Sequence, residues 1–182
     1  TLSDFRVEHR EALDLLFSEV LGVLSHQGLI SLERVMQDGT KVKASAADKS
    51  FRRKATLEKH LEIARQQVAQ MGDPRSEELS QRVVKARQRA LREKKERLEQ
   101  ALRELEQMEV SRAKSSEKKE VRVSTSDPQA RVMLPAKGAY GPGYNVQVST
   151  DARAKIIVGV GVSQSANDAV ELEPGVERVE AN

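Results

Sequence analysis

Leu57, Leu61, Ala64, Val68 and Met71 recur at steps of four, three, four and three residues. That spacing holds apolar side chains on one narrow stripe of an α-helix, the seam of a helix that packs against a single partner. Val84, Leu91, Leu98, Leu102, Leu105 and Met108 form a second stripe further along. Between the two lies "GDPRSEE": Gly72 suits a helix C-terminus, while Asp73 followed by Pro74 suits an N-cap and the first helical position. The pattern predicts two long helices folded back as an antiparallel hairpin, followed by a polar, loop-like "SRAKSSEKKE".

The hairpin constrains the whole chain because the sequence on both sides of it reads differently. Downstream, "YNVQVS" and "IIVGVGVS" are strand-like and are separated by "TDARAK", which has the length and polarity of a hairpin connection. Tyr144, Val146 and Val148 alternate with Asn145 and Gln147, which predicts a buried face carrying the apolar set. The second run is apolar almost throughout, as in a strand covered on both sides. Upstream, "SDFRVEHREALDLLFSEVLGVLSHQGLI" reads as a helix capped by Ser3 or Asp4. Its stripe is Leu13, Leu16, Phe17, Val20, Leu21 and Leu24, and Gly28 suits its end. One extended piece, within Leu29 to Val42, then precedes the hairpin.

A lone strand leaves its backbone donors and acceptors unpaired, so this piece is expected to pair with one of the two later strands. The fold class is therefore α+β: a three-stranded sheet piece with an N-terminal helix, interrupted by a long antiparallel helical hairpin. Segments 1–49, 50–121 and 122–182 divide it into N-terminal helix with first strand, basic hairpin insertion, and later strands with the start of a following helix. The final "NDAVELEPGVERVEAN" reads as a short helix interrupted at Pro174-Gly175.

Charge is unevenly placed. From Arg52 to Arg122 there are 20 Lys/Arg against 13 Asp/Glu, and the rest of the chain is net acidic. A basic middle suits a polyanionic partner. The sequence holds no cysteine, which excludes disulfides and thiolate metal sites and is compatible with the cytosol. His9, His26 and His60 are isolated and read as surface residues, and no apolar run is long enough to span a bilayer. The chain opens on Thr1, as a piece of a longer product would.

Within "VMQDGTKVKAS", Asp38-Gly39 has two readings. Asp-Gly is a strong signal for a two-residue hairpin turn. Alternatively Asp38 is a carboxylate carried on a strand. Asp127 before Pro128 reads as a turn residue, Asp151 as part of the hairpin connection and Asp168 as a helix cap. "KGAYGPGYNVQ" reads as a loop entering a strand.

Several stretches in order, "SDFR", "GLI", "DGTKVKASA", the basic helical insertion, "STSDPQARVM", "GPGYNVQVSTDARAKIIVGVGVSQSANDAVELEP" and "ERVEAN", resemble bacterial insertion-sequence transposases of the DDE type. The resemblance runs from about Asp4 to Asn182. It implies a partial ribonuclease H-like core, DNA transposition as the activity, and DNA (element ends and target) as the partner. It also implies Mg²⁺ or Mn²⁺ held by two aspartates and a glutamate, with Asp38 as the first of these, both catalytic residue and metal ligand. The family's second aspartate and its glutamate are not in this sequence, so the chain is expected to be a fragment that is inactive alone. Lys137 is placed against a phosphate near the active face with Tyr140 and Asn145. Arg87, Arg89, Arg92, Lys94 and Lys95 are DNA-contacting candidates on the insertion, through backbone phosphates, since no aromatic residues interleave them. The alternative is a non-enzymatic helical-hairpin protein that binds nucleic acid or a coiled-coil partner, including a second copy of itself.

Overall fold

The computed structural model describes residues 2–70, 81–113, 120–135 and 138–181. Met71, the "GDPRSEE" connection, most of "SRAKSSEKKE" and Lys137 lie outside them. The chain is α+β and divides into two compact units, residues 1–42 with 144–182, and residues 43–143.

In the first unit, α1 (Leu2–Glu8) and α2 (Arg10–His26) follow one another through His9. His9 N donates to Phe5 O and Leu13 N to His9 O, so the expected single helix is distorted at one residue only. Ser3 and Asp4 fall inside α1, after its first residue. Gly28, at φ +69°, takes the left-handed conformation expected of the residue that ends α2. Strand β1 (Val35–Lys43) comes next and belongs to this unit up to Val42. It hydrogen-bonds to β5 (Gly141–Asp151), which enters the unit at Tyr144 and also pairs with β6 (Ile157–Ser163).

The β5–β6 pair is antiparallel, with Val146 opposite Val162 and Val148 opposite Val160, and carries a bulge at Ser149/Thr150. Arg34 O accepts from Ala152 N while Gln37 reaches Gln147, so β1 also runs antiparallel to β5. The long-range pairing expected of the lone strand is present. A 3₁₀ turn over Asp168–Glu171 leads into α5 (Leu172–Glu180). This helix is continuous through Pro174-Gly175. Pro174 is its third residue, where a backbone N–H has no acceptor within the helix, so the missing donor costs nothing.

The buried apolar cluster of this unit is small: Leu21, Ile30 and Val158, with Phe17, Leu24, Ile156 and Val179 packed around them. Of the expected α2 stripe, Leu13, Leu16 and Val20 are exposed.

The second unit is built on the hairpin. Helix α3 (Lys54–Ala69) packs on α4 (Gln81–Ala113). Lys54 pairs with Glu106 and Glu109, whereas Arg65 pairs with Glu99, so the helices are antiparallel. The core contains Leu57, Leu61 and Ala64 from α3 and Leu98, Ala101 and Leu105 from α4. Val121 and Val123 complete it. Ala101 is the seam position that the leucine pattern passed over.

A two-residue ribbon closes the base of the hairpin: β2 (Phe51–Arg52) pairs antiparallel with β3 (Val123–Ser124). The Ser124 hydroxyl, fully buried, bonds Ser50 and Ser126 hydroxyls and accepts from Ser126 N and Asp127 N. Asp127 sits in a turn, as expected, with Ala130 N donating to its carbonyl. β4 (Arg131–Met133) pairs with residues 141–143 of β5, and the Arg131 guanidinium meets Glu104 in a largely buried ion pair.

Candidate functional site

Strand β1 is unbroken across Asp38-Gly39, so the step is not a hairpin tip. Gly39 does not take a positive φ. Its lack of a side chain serves close approach instead: a Cβ there would lie 2.2 Å from Asp168 Oδ1 and 2.4 Å from Gln147 Nε2. The glycine is required by packing on one face of the strand, and Asp38 is left on the other.

Strand alternation separates the two faces. Gln37, Gly39 and Lys41 share a face with Asn145, Gln147, Ser149 and Asp151 of β5, and this face is covered by the Asp168–Glu171 turn and α5. Asn145, Gln147, Ser149 and Asp151 are all buried. Two expectations are reversed here. The buried face of β5 is its polar one, while Tyr144, Val146 and Val148 are only half-buried. Likewise β6 is covered on one face only, with Val160 and Val162 exposed. The cause is the cover itself: the turn and the segment before it bring the Asp168 carboxylate and the Ser165 and Glu171 carbonyls, which amide side chains satisfy.

The resulting network is dense. Lys41 Nζ donates to both Asp168 oxygens at 2.8 Å. Asn145 Nδ2 and Gln147 Nε2 donate to Asp168 Oδ1 at 2.7 and 2.9 Å. Gln37 Nε2 donates to Gln147 Oε1 and to the Glu171 carbonyl, and the Ser163 hydroxyl donates to the Glu171 carboxylate. The Lys41 ammonium, then Asn145 and then Gln147, hold the Asp168 carboxyl below its usual range despite partial burial. Asp168 is therefore an acceptor at the centre of a network and not a cap. The cap of the turn is Asn167, whose side chain accepts from Ala169 N.

Sequence reasoning missed Gln37, Lys41, Gln147 and Glu171. The signal was the run of polar residues at every second position from Asn145 to Asp151, which the alternating apolar residues outweighed.

Asp38 is exposed on the opposite face, with Met36, Thr40 and Val42 as its exposed neighbours on β1. Its Oδ1 accepts from Gly39 N at 2.9 Å. Asn145, expected near this carboxylate, points to the other face of the sheet. Among the described residues no group of three or more His, Asp or Glu stands close enough together to hold a metal ion. One carboxylate on an open strand does not fit a two-metal centre, which needs bridging and flanking oxygen ligands from several residues.

The basic candidates on α4 are spread around the helix. Arg87, Arg89, Arg92 and Lys94 are exposed, whereas Lys95 is half-buried and lies 3.7 Å from Glu99. No helix among the described residues is long and apolar enough to cross a membrane. Compared with family models, curated proteins and solved structures, the chain matches none.

Proposed function

We propose that this chain is a piece of the ribonuclease H-like core of a DDE transposase, acting in DNA transposition, with Asp38 as the first of its metal-binding carboxylates. The observation that supports the reading is the placement of Asp38: mid-strand, exposed, on a strand that pairs with a later antiparallel hairpin across the intervening helical insertion. A turn aspartate has no reason to be held there, because its partner glycine is extended and accounted for by packing. Mg²⁺ or Mn²⁺ belongs to this reading through oxygen ligands. The remaining two carboxylates lie outside this sequence, so the chain by itself performs no strand cleavage or joining. Cytoplasmic DNA, as element ends and target, is the substrate.

Reading the coding DNA beyond the codon for Asn182 tests the proposal. An in-frame continuation that carries an aspartate on a further strand-like run, and later a glutamate, is expected. A continuation with no such carboxylate-bearing strand refutes it.

A further inference from the structure

The 33-residue helix α4 is electrically divided along its length. From Arg82 to Lys95 it holds seven Lys/Arg against the single acid Glu93, and from Glu96 to Ala113 three against five. The acidic half is used within the fold: Glu99 meets Arg65 and Lys95, Glu104 meets Arg131, and Glu106 and Glu109 meet Lys54. Of the basic half, Lys95 alone is used in this way among the described residues. Arg82, Lys85, Arg89 and Arg92 are exposed, and among the described residues none of them has an ion-pair partner.

These four fall at i, i+3, i+7 and i+10, so they form one stripe about 15 Å long on a rigid helix. The seam residues Leu91 and Leu98 lie roughly opposite on the helical wheel. Each successive pair in the stripe is a like-charge neighbour at three or four residues, a repulsion that Glu93 and Glu96, four residues beyond Arg89 and Arg92, offset only toward its C-terminal end. Neutral residues would serve packing equally well.

We infer that this stripe is a phosphate-contacting ridge for duplex DNA. It differs from the expected contact set: Arg82 and Lys85 join Arg89 and Arg92, whereas Arg87 and Lys94, though exposed, lie toward the seam side and Lys95 is engaged by Glu99. The inference rests on the proposed function only for choosing DNA among polyanions. A lipid surface fits less well, because the ridge is flanked by Ala86, Glu93 and Glu96 and offers no large apolar side chain to insert. A ridge with no aromatic or amide side chains reads backbone charge and not sequence.

The test is a titration of random-sequence duplex DNA with the purified chain between about 50 and 200 mM salt. Four phosphate contacts give a log–log salt slope of about −3.6, a loss of affinity of roughly a hundredfold over that range. The ridge variant Arg82→Gln/Lys85→Gln/Arg89→Gln/Arg92→Gln is expected to lose most of that slope and at least tenfold in low-salt affinity. A control that removes four exposed cations elsewhere, Arg6→Gln/Arg34→Gln/Lys43→Gln/Lys155→Gln, carries the same net charge and is expected to keep most of the slope. Unchanged helical circular dichroism confirms that the ridge variant is folded, as exposure of all four side chains leads one to expect.

Absence of duplex binding by the wild type at low salt overturns the inference, as does equal loss by ridge and control variants. Binding to phosphatidylserine vesicles as tight as to duplex DNA overturns the choice of partner. The ridge fails in this assay and the reading of Asp38 fails in the downstream coding sequence, so neither result decides the other.

Discussion

A carboxylate that accepts several backbone N–H groups fixes the loops that supply them. Asp151, fully buried, accepts from Ser31 and Leu32 on one side and from Arg153 and Ala154 on the other. It thereby ties the segment between α2 and β1 to the β5–β6 turn. The Ala154 N–H is the largest influence holding its carboxyl below the usual range; burial opposes it, and Leu32, Ser31 and Arg153 add to it. The sign follows from linkage. A depressed folded-state value stabilises the fold fully above about pH 4, the unfolded-state value, and the contribution is lost as pH falls through the folded-state value. Asp168, depressed first by Lys41, acts in the same direction. Urea unfolding of wild type and Asp151→Asn should therefore show a lower midpoint for the variant at neutral pH, and a gap that narrows on acidification. Gly39→Ala is a second residue-scale expectation. Its Cβ would overlap Asp168 Oδ1 and Gln147 Nε2, so the network must move, at a cost of about 1–3 kcal/mol measured by denaturant unfolding.

Among the elements, stability is concentrated in the hairpin. Leu57, Leu61, Leu98 and Leu105 are buried in one seam, so Leu105→Ala should destabilise the second unit by about 2–5 kcal/mol in chemical denaturation. Leu16→Ala, on the exposed face of α2, should leave the unfolding midpoint nearly unchanged. The contrast shows where sequence was informative. Helical periodicity located α3, α4 and their shared seam because each helix packs on one partner through the stripe that the spacing marks. The same periodicity in α2 named six residues, of which Leu21 alone is fully buried, because periodicity reports a face and not the presence of something to cover it. Gly175 misleads for a related reason. With Pro174 it reads as a break, yet it is a place where backbone passes against a side chain, as Gly39 also is: a Cβ at Gly175 would lie 1.9 Å from Gln37 Oε1. Tertiary approach uses the same residue that local turn chemistry uses, and only the partner distinguishes them.

At the scale of the whole molecule, a strand and a later hairpin form one sheet although the helical insertion stands between them in sequence. On the proposed reading, Asp38 is thereby displayed without the other ligands that phosphoryl transfer needs. Purified chain with Mg²⁺ or Mn²⁺ should leave supercoiled plasmid intact, and metal-dependent nicking abolished by Asp38→Ala would show a catalytic centre that the described residues do not account for. The most direct test of the central claim is the pairing of β1 itself, read from cross-strand amide and Hα contacts by nuclear magnetic resonance. The account predicts contacts between residues on either side of Asp38 and the Val146–Val148 stretch of β5, with slow amide exchange along β1. Contacts between Gln37 and Thr40 across a local turn, with none to β5, would contradict it and remove Asp38 from the catalytic assignment.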